Sequence, residues 1–98
     1  MSTKTSIILC TYNEANYIKQ TILELEKNIQ NLELIIIDDS STDGTMNIVN
    51  ELNYNKKYKV VVREKKTGLA SAVLKGVAES SGEYIGWIDT NMPELVVK

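Results

Sequence analysis

Three groups of polar side chains each follow directly on a short apolar segment of the chain. They are Tyr12 and Glu14 in the first group, Asp38, Asp39 and Ser40 in the second, and Asp89 and Asn91 in the third. Carboxylates brought together in one crevice repel one another, and a divalent cation is the simplest group that offsets this repulsion. A carboxylate can also accept hydrogen bonds from the N–H groups of guanine or uracil, or hold ribose hydroxyls. This chemistry requires a fold that brings the three groups together.

Histidine is absent from the chain, and cysteine occurs once, at Cys10. The absence of histidine excludes histidine-based triads, general bases and zinc sites, so a bound metal would have oxygen ligands, as Mg²⁺, Mn²⁺ and Ca²⁺ do. A single thiol forms no internal disulfide, which is typical of a reducing compartment, and we expect a cytoplasmic protein. Cys10 itself is predicted to be buried and unreactive.

The length and charge of the chain narrow the class of protein further. Residues 1–98 are predicted to form one domain. The net charge is −2, from 11 basic and 13 acidic residues, so there is no positive field to attract nucleic acid. The longest apolar runs, such as residues 34–37, are far shorter than the roughly 18 residues of a membrane-spanning helix. The first residues also lack the apolar region of a signal peptide.

Four apolar runs predict buried strands at residues 6–10, 34–37, 60–62 and 84–88. Apolar residues at helical spacing separate them, and these are Ile18, Ile22, Leu25 and Ile29, then Met46, Val49 and Leu52, then Leu69, Ala72, Val73, Gly76 and Val77. Ser40 and Asp43 have the spacing of a capping box that begins the second helix. Gly82 is predicted to end the third helix. Tyr84 and Trp87 are expected in the core.

The alternation of strands and helices predicts an α/β fold with a parallel, Rossmann-like sheet and helices on both faces. In a doubly wound sheet of this kind the strand order is 3-2-1-4. Ligands then bind beyond the carboxyl ends of the strands, at the point where the order reverses between strands one and four. The predicted site therefore comprises the loops after Leu9, Ile37 and Ile88.

Several kinds of site are excluded by the residues in these loops. No Gly-x-Gly-x-x-Gly follows the first strand, which argues against a dinucleotide cofactor, and no Gly-Lys-Ser/Thr of a P-loop is present. A phospho-receiver domain would carry its acidic pair after strand one and its phosphoacceptor after strand three. Here Asp38 and Asp39 follow strand two, and Val62 leads into Arg63, so this alternative is rejected.

Residues 10–14 (CTYNE), 35–45 (IIIDDSSTDGT) and 82–91 (GEYIGWIDTN) resemble the three signature segments of the large family of inverting glycosyltransferases with the A-type nucleotide-sugar-binding fold. Residues 63–72 are similar to a stretch of the dolichyl-phosphate (polyprenyl-phosphate) mannose synthases, the branch most like this chain. The resemblance covers nearly the whole chain but only the N-terminal, nucleotide-binding half of such enzymes, so we expect a truncated form of their fold.

The resemblance implies a role for each matching position. Tyr12 and Glu14 would contact the nucleoside, and Ile37 and Asp39 would border the base, with Asp39 accepting its N–H. Asp89 and Asn91 would hold the divalent cation, Mg²⁺ or Mn²⁺, and the diphosphate. The implied reaction transfers a sugar from a GDP- or UDP-sugar, with GDP-mannose favoured, to a lipid-phosphate or other acceptor with inversion. No catalytic base is identified.

Three positions depart from the family pattern. Cys10 replaces a proline, Asn91 replaces a second aspartate and so should weaken metal binding, and Pro93 replaces a glutamine of the mannose synthases. The alternative function is a non-catalytic nucleotide-binding module that lacks the acceptor half. An exposed edge of the sheet would allow a homodimer, and the full-length enzyme would lie peripherally at a membrane.

Overall fold

The computed structural model describes residues 3–64 and 68–89, except for the side chain of Asp89. Strands and helices alternate along the chain. They are β1 (Thr5–Thr11), α1 (Ile18–Asn28), β2 (Leu32–Asp38), α2 (Thr45–Leu52), β3 (Lys59–Val62), α3 (Leu69–Glu79) and β4 (Tyr84–Asp89). Each predicted strand and helix is present, and the strands extend one or two residues beyond the predicted bounds.

The four strands form one parallel sheet with the order β3-β2-β1-β4, as predicted from the sequence. The register aligns the ends of the three strands that precede the polar groups. Cys10 lies opposite Ile37 on β2 and opposite Asp89 on β4, and Thr11 lies opposite Asp38. The loops after β1, β2 and β4 therefore begin at one edge of the sheet.

Helices cover both faces of the sheet because side chains alternate along each strand. On one face, Leu9, Leu34 and Ile36 pack against α1 and α2 through Ile22 and Val49. On the other face, the core beneath α3 contains buried residues from β1 and β2. These residues are Ile8, Cys10, Ile35 and Ile37, and they pack with the buried Ala72 of α3. Cys10 is buried, as predicted.

Two glycines allow the backbone of α3 and of the connection to β4 to approach β1 closely. A Cβ added to Gly76 on α3 would lie 2.3 Å from Cγ2 of Ile8, so a larger residue would force the helix away from the sheet. A Cβ on Gly82 would lie 2.5 Å from Oγ of Ser6, whose hydroxyl accepts a hydrogen bond from the Gly82 N–H at 2.8 Å. The prediction that Gly82 ends α3 is wrong, because Ser80 is the C-cap residue and the helix stops at Glu79.

The expectation that Tyr84 and Trp87 lie in the core is also wrong. Tyr84 is 67% exposed and Trp87 is 47% exposed. The reason is the position of β4, which is the edge strand next to β1 in the sheet of the described residues, while the buried residue Ala72 of α3 packs with residues of β1 and β2. Within residues 3–64 and 68–89, no helix combines the length and the apolar character needed to span a bilayer.

Candidate nucleotide-binding site

Asp38 is the last residue of β2 and is fully buried. Its Oδ1 accepts hydrogen bonds from the Thr11 hydroxyl at 2.6 Å and from the Ser41 hydroxyl at 2.6 Å, and its Oδ2 accepts one from the Ser41 N–H at 2.9 Å. The carboxylate therefore joins the end of β1 to the loop after β2. This burial argues against a simple solvated turn at Asp38 and Asp39.

Asp39 is 5% exposed and forms a two-point ion pair with Arg63, the residue directly after β3. The Arg63 Nε lies 2.5 Å from Oδ1 of Asp39, and Nη2 lies 2.8 Å from Oδ2. Hydrogen bonding to Asp39 raises the pKa of Arg63 above its ordinary value, although burial acts in the opposite direction. The ion pair therefore ties the loop after β2 to the end of β3.

The capping box predicted from Ser40 and Asp43 is not formed. Ser40 has a left-handed backbone, with φ of 58°, and its hydroxyl donates to the carbonyl of Arg63. The helix begins instead after Gly44, whose φ is 95°. Asp43 accepts from the N–H of Thr45 at 3.1 Å and from its hydroxyl at 2.5 Å, and the hydroxyl contact lowers the pKa of Asp43.

The loops after β1 and β2 are held together by four hydrogen bonds between backbone and side-chain groups. Asn13, with a left-handed φ of 53°, donates its N–H to the Ser41 hydroxyl at 2.8 Å, and its side-chain oxygen accepts from the Thr42 N–H at 2.7 Å. Ala15 N–H donates to Asp43 at 3.1 Å. Together with the hydrogen bond from the Glu14 N–H to the Thr45 hydroxyl, these bonds give the two loops one fixed relative position.

Thr45 is fully buried at the start of α2, and its hydroxyl accepts a hydrogen bond from the Glu14 N–H at 3.0 Å. The contribution of Thr45 to the site was missed from the sequence, as were those of Asn13, Ser41 and Asp43. The available signal was the density of Ser, Thr, Asn and Asp in both loops, which favours hydrogen bonds between side chain and backbone.

The predicted nucleoside-contacting residues lie in different environments. Tyr12 is 43% exposed, so its ring is accessible at the rim of the sheet. Glu14 is 8% exposed and lies beside the loop after β2 through its backbone contact to Thr45. Ile37 is fully buried beneath α3, so its side chain is part of the core. The predicted contact of Ile37 with a base stays a prediction.

The predicted metal ligands lie at the end of β4 and beyond it. The backbone of Asp89 ends β4 opposite Cys10, whereas Asn91 and Pro93 fall outside the described residues. Among residues 3–64 and 68–89, no cluster of three or more Asp, Glu, Cys or His residues could hold a metal ion. Mg²⁺ is commonly held by one or two protein carboxylates together with substrate phosphates, and the roles of Asp89 and Asn91 as metal ligands stay predictions.

Known proteins resemble this chain over most of its length. The dolichol-phosphate mannosyltransferase of Pyrococcus furiosus is 34% identical over 97% of the chain and 28% of the relative, and that of Saccharomyces cerevisiae is 36% identical over 100% of the chain and 40% of the relative. The chain therefore spans well under half the length of these curated relatives.

Solved structures show the same fold. A mannosyltransferase from Pyrobaculum calidifontis in complex with GDP-Man and Mn²⁺ superimposes with a TM-score of 0.82 at 25% identity, over 93% of this chain and 28% of that protein. TarS of S. aureus in complex with UDP gives a TM-score of 0.80 at 28% identity, over 90% of this chain and 27% of that protein. The fold predicted from the sequence is thus confirmed as that of nucleotide-sugar transferases.

The motifs at residues 10–14, 35–45 and 82–91 lie almost entirely within the part of the chain that matches a family model. That model is described as glycosyl transferase family 2 and matches residues 6–90. The resemblance seen in the sequence is confirmed by this match and by the fold, and the chain belongs to glycosyltransferase family 2.

Proposed function

We propose that this chain binds the nucleotide-diphosphosugar donor of a glycosyl transfer reaction at the carboxyl edge of its sheet. The observation that carries the proposal is the buried carboxylate of Asp39, which Arg63 holds in place just after β2, at the carboxyl edge of the sheet. Asp39 would accept an N–H of the base, while Tyr12 and Glu14 would contact the nucleoside. Ile37 would support the base from below as part of the core.

A base with an N–H flanked by carbonyl or amino groups, guanine or uracil, suits a carboxylate acceptor, whereas the adenine ring carries no such N–H. GDP-mannose is the proposed donor. Support comes from the two dolichol-phosphate mannosyltransferases and from the mannosyltransferase whose structure contains GDP-Man. UDP-sugars remain the second choice, because TarS was solved with UDP.

Asp89 and Asn91 are the proposed ligands of a divalent cation, Mg²⁺ or Mn²⁺. When bound, the cation would neutralise the diphosphate as it leaves. Asp89 brings the charge needed for hard-cation binding, and Asn91 contributes a neutral amide oxygen, which should make the affinity modest. The structure from Pyrobaculum calidifontis holds Mn²⁺, which supports the choice of metal.

For the whole enzyme we propose transfer with inversion to a lipid phosphate at a membrane surface. The acceptor oxygen would form the new bond to the anomeric carbon from the side opposite the diphosphate, and the bond to the diphosphate would break with its electron pair leaving on oxygen.

Pairing of β4 edges would join two copies, since β4 has one free edge in the described sheet. Analytical ultracentrifugation of the chain would test this dimer.

Calorimetric titration of the chain with GDP, UDP and ADP, each with and without Mn²⁺, tests the proposed donor site. Metal-dependent binding of GDP or UDP but not ADP is expected. Asp39→Ala should abolish the preference for GDP over ADP, and an unchanged preference would contradict the role of Asp39. Binding without transfer of mannose from GDP-mannose to a polyprenyl phosphate would favour the alternative of a non-catalytic nucleotide-binding module.

A further inference from the structure

Arg63 is attached to the candidate site through its backbone as well as its side chain. Its N–H donates to the carbonyl of Asp38 at 2.7 Å, and its own carbonyl accepts the hydroxyl of Ser40. These two contacts fix the main chain of Arg63 against the loop that carries Asp39. The guanidinium consequently starts from a defined position rather than from a mobile loop.

The guanidinium of Arg63 also reaches the start of α3. Its Nη1 donates to the Ser71 hydroxyl at 2.7 Å, and its Nη2 donates to the carbonyl of Gly68 at 3.3 Å in addition to the bond to Asp39. The side chain of Arg63 is 15% exposed and that of Asp39 is 7% exposed. An ion pair this far removed from water has a fixed geometry, unlike the mobile pairs of a protein surface.

This pairing determines what Asp39 can offer to a ligand. A buried carboxylate without hydrogen-bonding partners would turn towards water, and its oxygens would then have no fixed direction. The two bonds from Arg63 occupy one lone pair on each oxygen out of about four lone-pair positions on the group. Acceptor capacity therefore remains on a carboxylate whose orientation is fixed.

We infer that Arg63 is a positioning residue for donor selection: by pairing with Asp39 at two points, it keeps that carboxylate an acceptor directed at a base N–H. The inference rests on the proposed nucleotide-binding function and names a residue that determines its specificity. Arg63 acts through Asp39 and makes no contact with the base in this proposal. Loss of Arg63 should therefore reduce discrimination between GDP and ADP and have little effect on binding of the diphosphate.

The test is calorimetric titration of GDP and ADP, with Mn²⁺, against Arg63→Met, Asp39→Asn and the double variant. Arg63→Met is expected to weaken GDP binding about tenfold, the loss of roughly one hydrogen bond to a charged group, and to leave ADP binding unchanged. Because Arg63 acts through Asp39, the double variant should bind GDP no more weakly than Asp39→Asn. Multiplied effects in the double variant would instead mean a direct contact, and would overturn the inference.

Two further variants separate positioning from folding. Arg63→Lys keeps the charge but forms only one-point contacts, so it should recover part of the lost GDP affinity. Lys59→Met is the matched control, because it removes a cation from the buried carboxylate of Glu33 at the other end of the sheet. It should lower the melting temperature without changing the preference for GDP. If Arg63→Met does not fold, Ser71→Ala removes one anchor of the guanidinium and should weaken GDP binding slightly.

The outcomes distinguish the failure of this inference from that of the proposed function. A folded parent chain that binds neither GDP nor UDP would overturn the function itself. Loss of the GDP preference in Asp39→Asn, with Arg63→Met equal to the parent, would retain the function and overturn the role of Arg63. A parent that binds GDP and an Asp39→Asn variant that binds it equally well would overturn both the base-reading role of Asp39 and this inference.

Discussion

Glu33, near the start of β2, and Asp39, just after its end, are both buried carboxylates, and they are paired differently. Glu33 accepts hydrogen bonds from the Ser6 hydroxyl at 2.6 Å and from the N–H and hydroxyl of Ser81 at 2.8 and 2.9 Å. It also pairs with Lys59 at 3.1 Å and Lys4 at 3.5 Å. These partners come from β1, β3, the residue before β1 and the connection from α3 to β4.

Asp39 has a much smaller set of partners. Within residues 3–64 and 68–89, its carboxylate receives hydrogen bonds from one side chain, that of Arg63. The comparison indicates that a buried carboxylate stabilises the fold when donors from several segments of the chain occupy its acceptor positions. A buried carboxylate can bind a ligand when a single fixed cation leaves some of its acceptor positions unoccupied. Predictions about Glu33 should accordingly concern stability, and those about Asp39 should concern binding.

The largest effect on stability is expected from Glu33→Ala. The change leaves two serines and two lysines without their shared acceptor and should lower the free energy of unfolding by about 3 kcal/mol. Urea denaturation followed by circular dichroism measures this loss. Glu51→Ala, at an exposed position on α2, is the control and should change stability by less than about 0.5 kcal/mol. Equal effects of the two substitutions would contradict the stabilising role assigned to Glu33.

The pH dependence of stability sharpens the same contrast. Burial would raise the pKa of Glu33, but hydrogen bonds from Ser6, Ser81 and Lys59 together lower it from 4.5 to about 2. A lowered pKa in the folded state means that the stabilisation is complete above pH 4.5 and is lost as the pH falls towards 2. The stability difference between the parent and Glu33→Gln should therefore narrow across this range. A constant difference would contradict the pairing.

A smaller effect is expected where the two site loops meet. Thr45→Val keeps the shape of the side chain but leaves the Glu14 N–H without its acceptor, and should cost about 1 to 2 kcal/mol while weakening GDP binding. Thr21→Val is a close control, because the buried Thr21 hydroxyl has no hydrogen-bond partner among the described residues. That change should be neutral or stabilising. Urea denaturation measures the stability of both variants. A Thr45→Val variant as stable as the parent would contradict the stabilising role of the hydrogen bond between Glu14 and Thr45.

The smallest effect is expected from Lys4→Met. Lys4 is 43% exposed and lies 3.5 Å from Glu33, so water and salt screen the pair. The loss of stability should be about 0.5 kcal/mol or less in low salt and should disappear in 1 M NaCl. Lys59→Met, measured in parallel, should cost more, since its distance to Glu33 is shorter. A larger loss of stability for Lys4→Met than for Lys59→Met would contradict the expectation that Lys59 stabilises Glu33 more than Lys4 does.

The sheet order and the edge that carries the site were predictable because their signals are local. Short apolar runs identify strands, polar residues mark the loops that follow, and the handedness of crossovers restricts the order. The contacts inside the site carry no such signal. Arg63 and Asp39 are 24 residues apart, and Asn13 and Thr42 are 29 apart, so neither pair follows from periodicity.

The wrong predictions share a physical cause. Ser40 and Asp43 have capping-box spacing, but Ser40 is drawn to the carbonyl of Arg63 after the neighbouring strand, and this tertiary contact prevents the local one. Glycine is a residue type that commonly ends helices, but Gly82 lacks a side chain because it lies in close contact with Ser6 on β1. Trp87 was assigned to the core by its hydrophobicity, which does not reveal that its strand lies at the edge.

The half-exposed indole of Trp87 also has a practical consequence. It is the only tryptophan in the sequence, and it lies two residues before Asp89 on the strand that leads to the proposed metal ligands. Its fluorescence emission is therefore a single-site signal that requires no added label. We expect acrylamide to quench that emission in the free chain, and we expect bound Mn²⁺, which is paramagnetic, to quench it where Mg²⁺ does not.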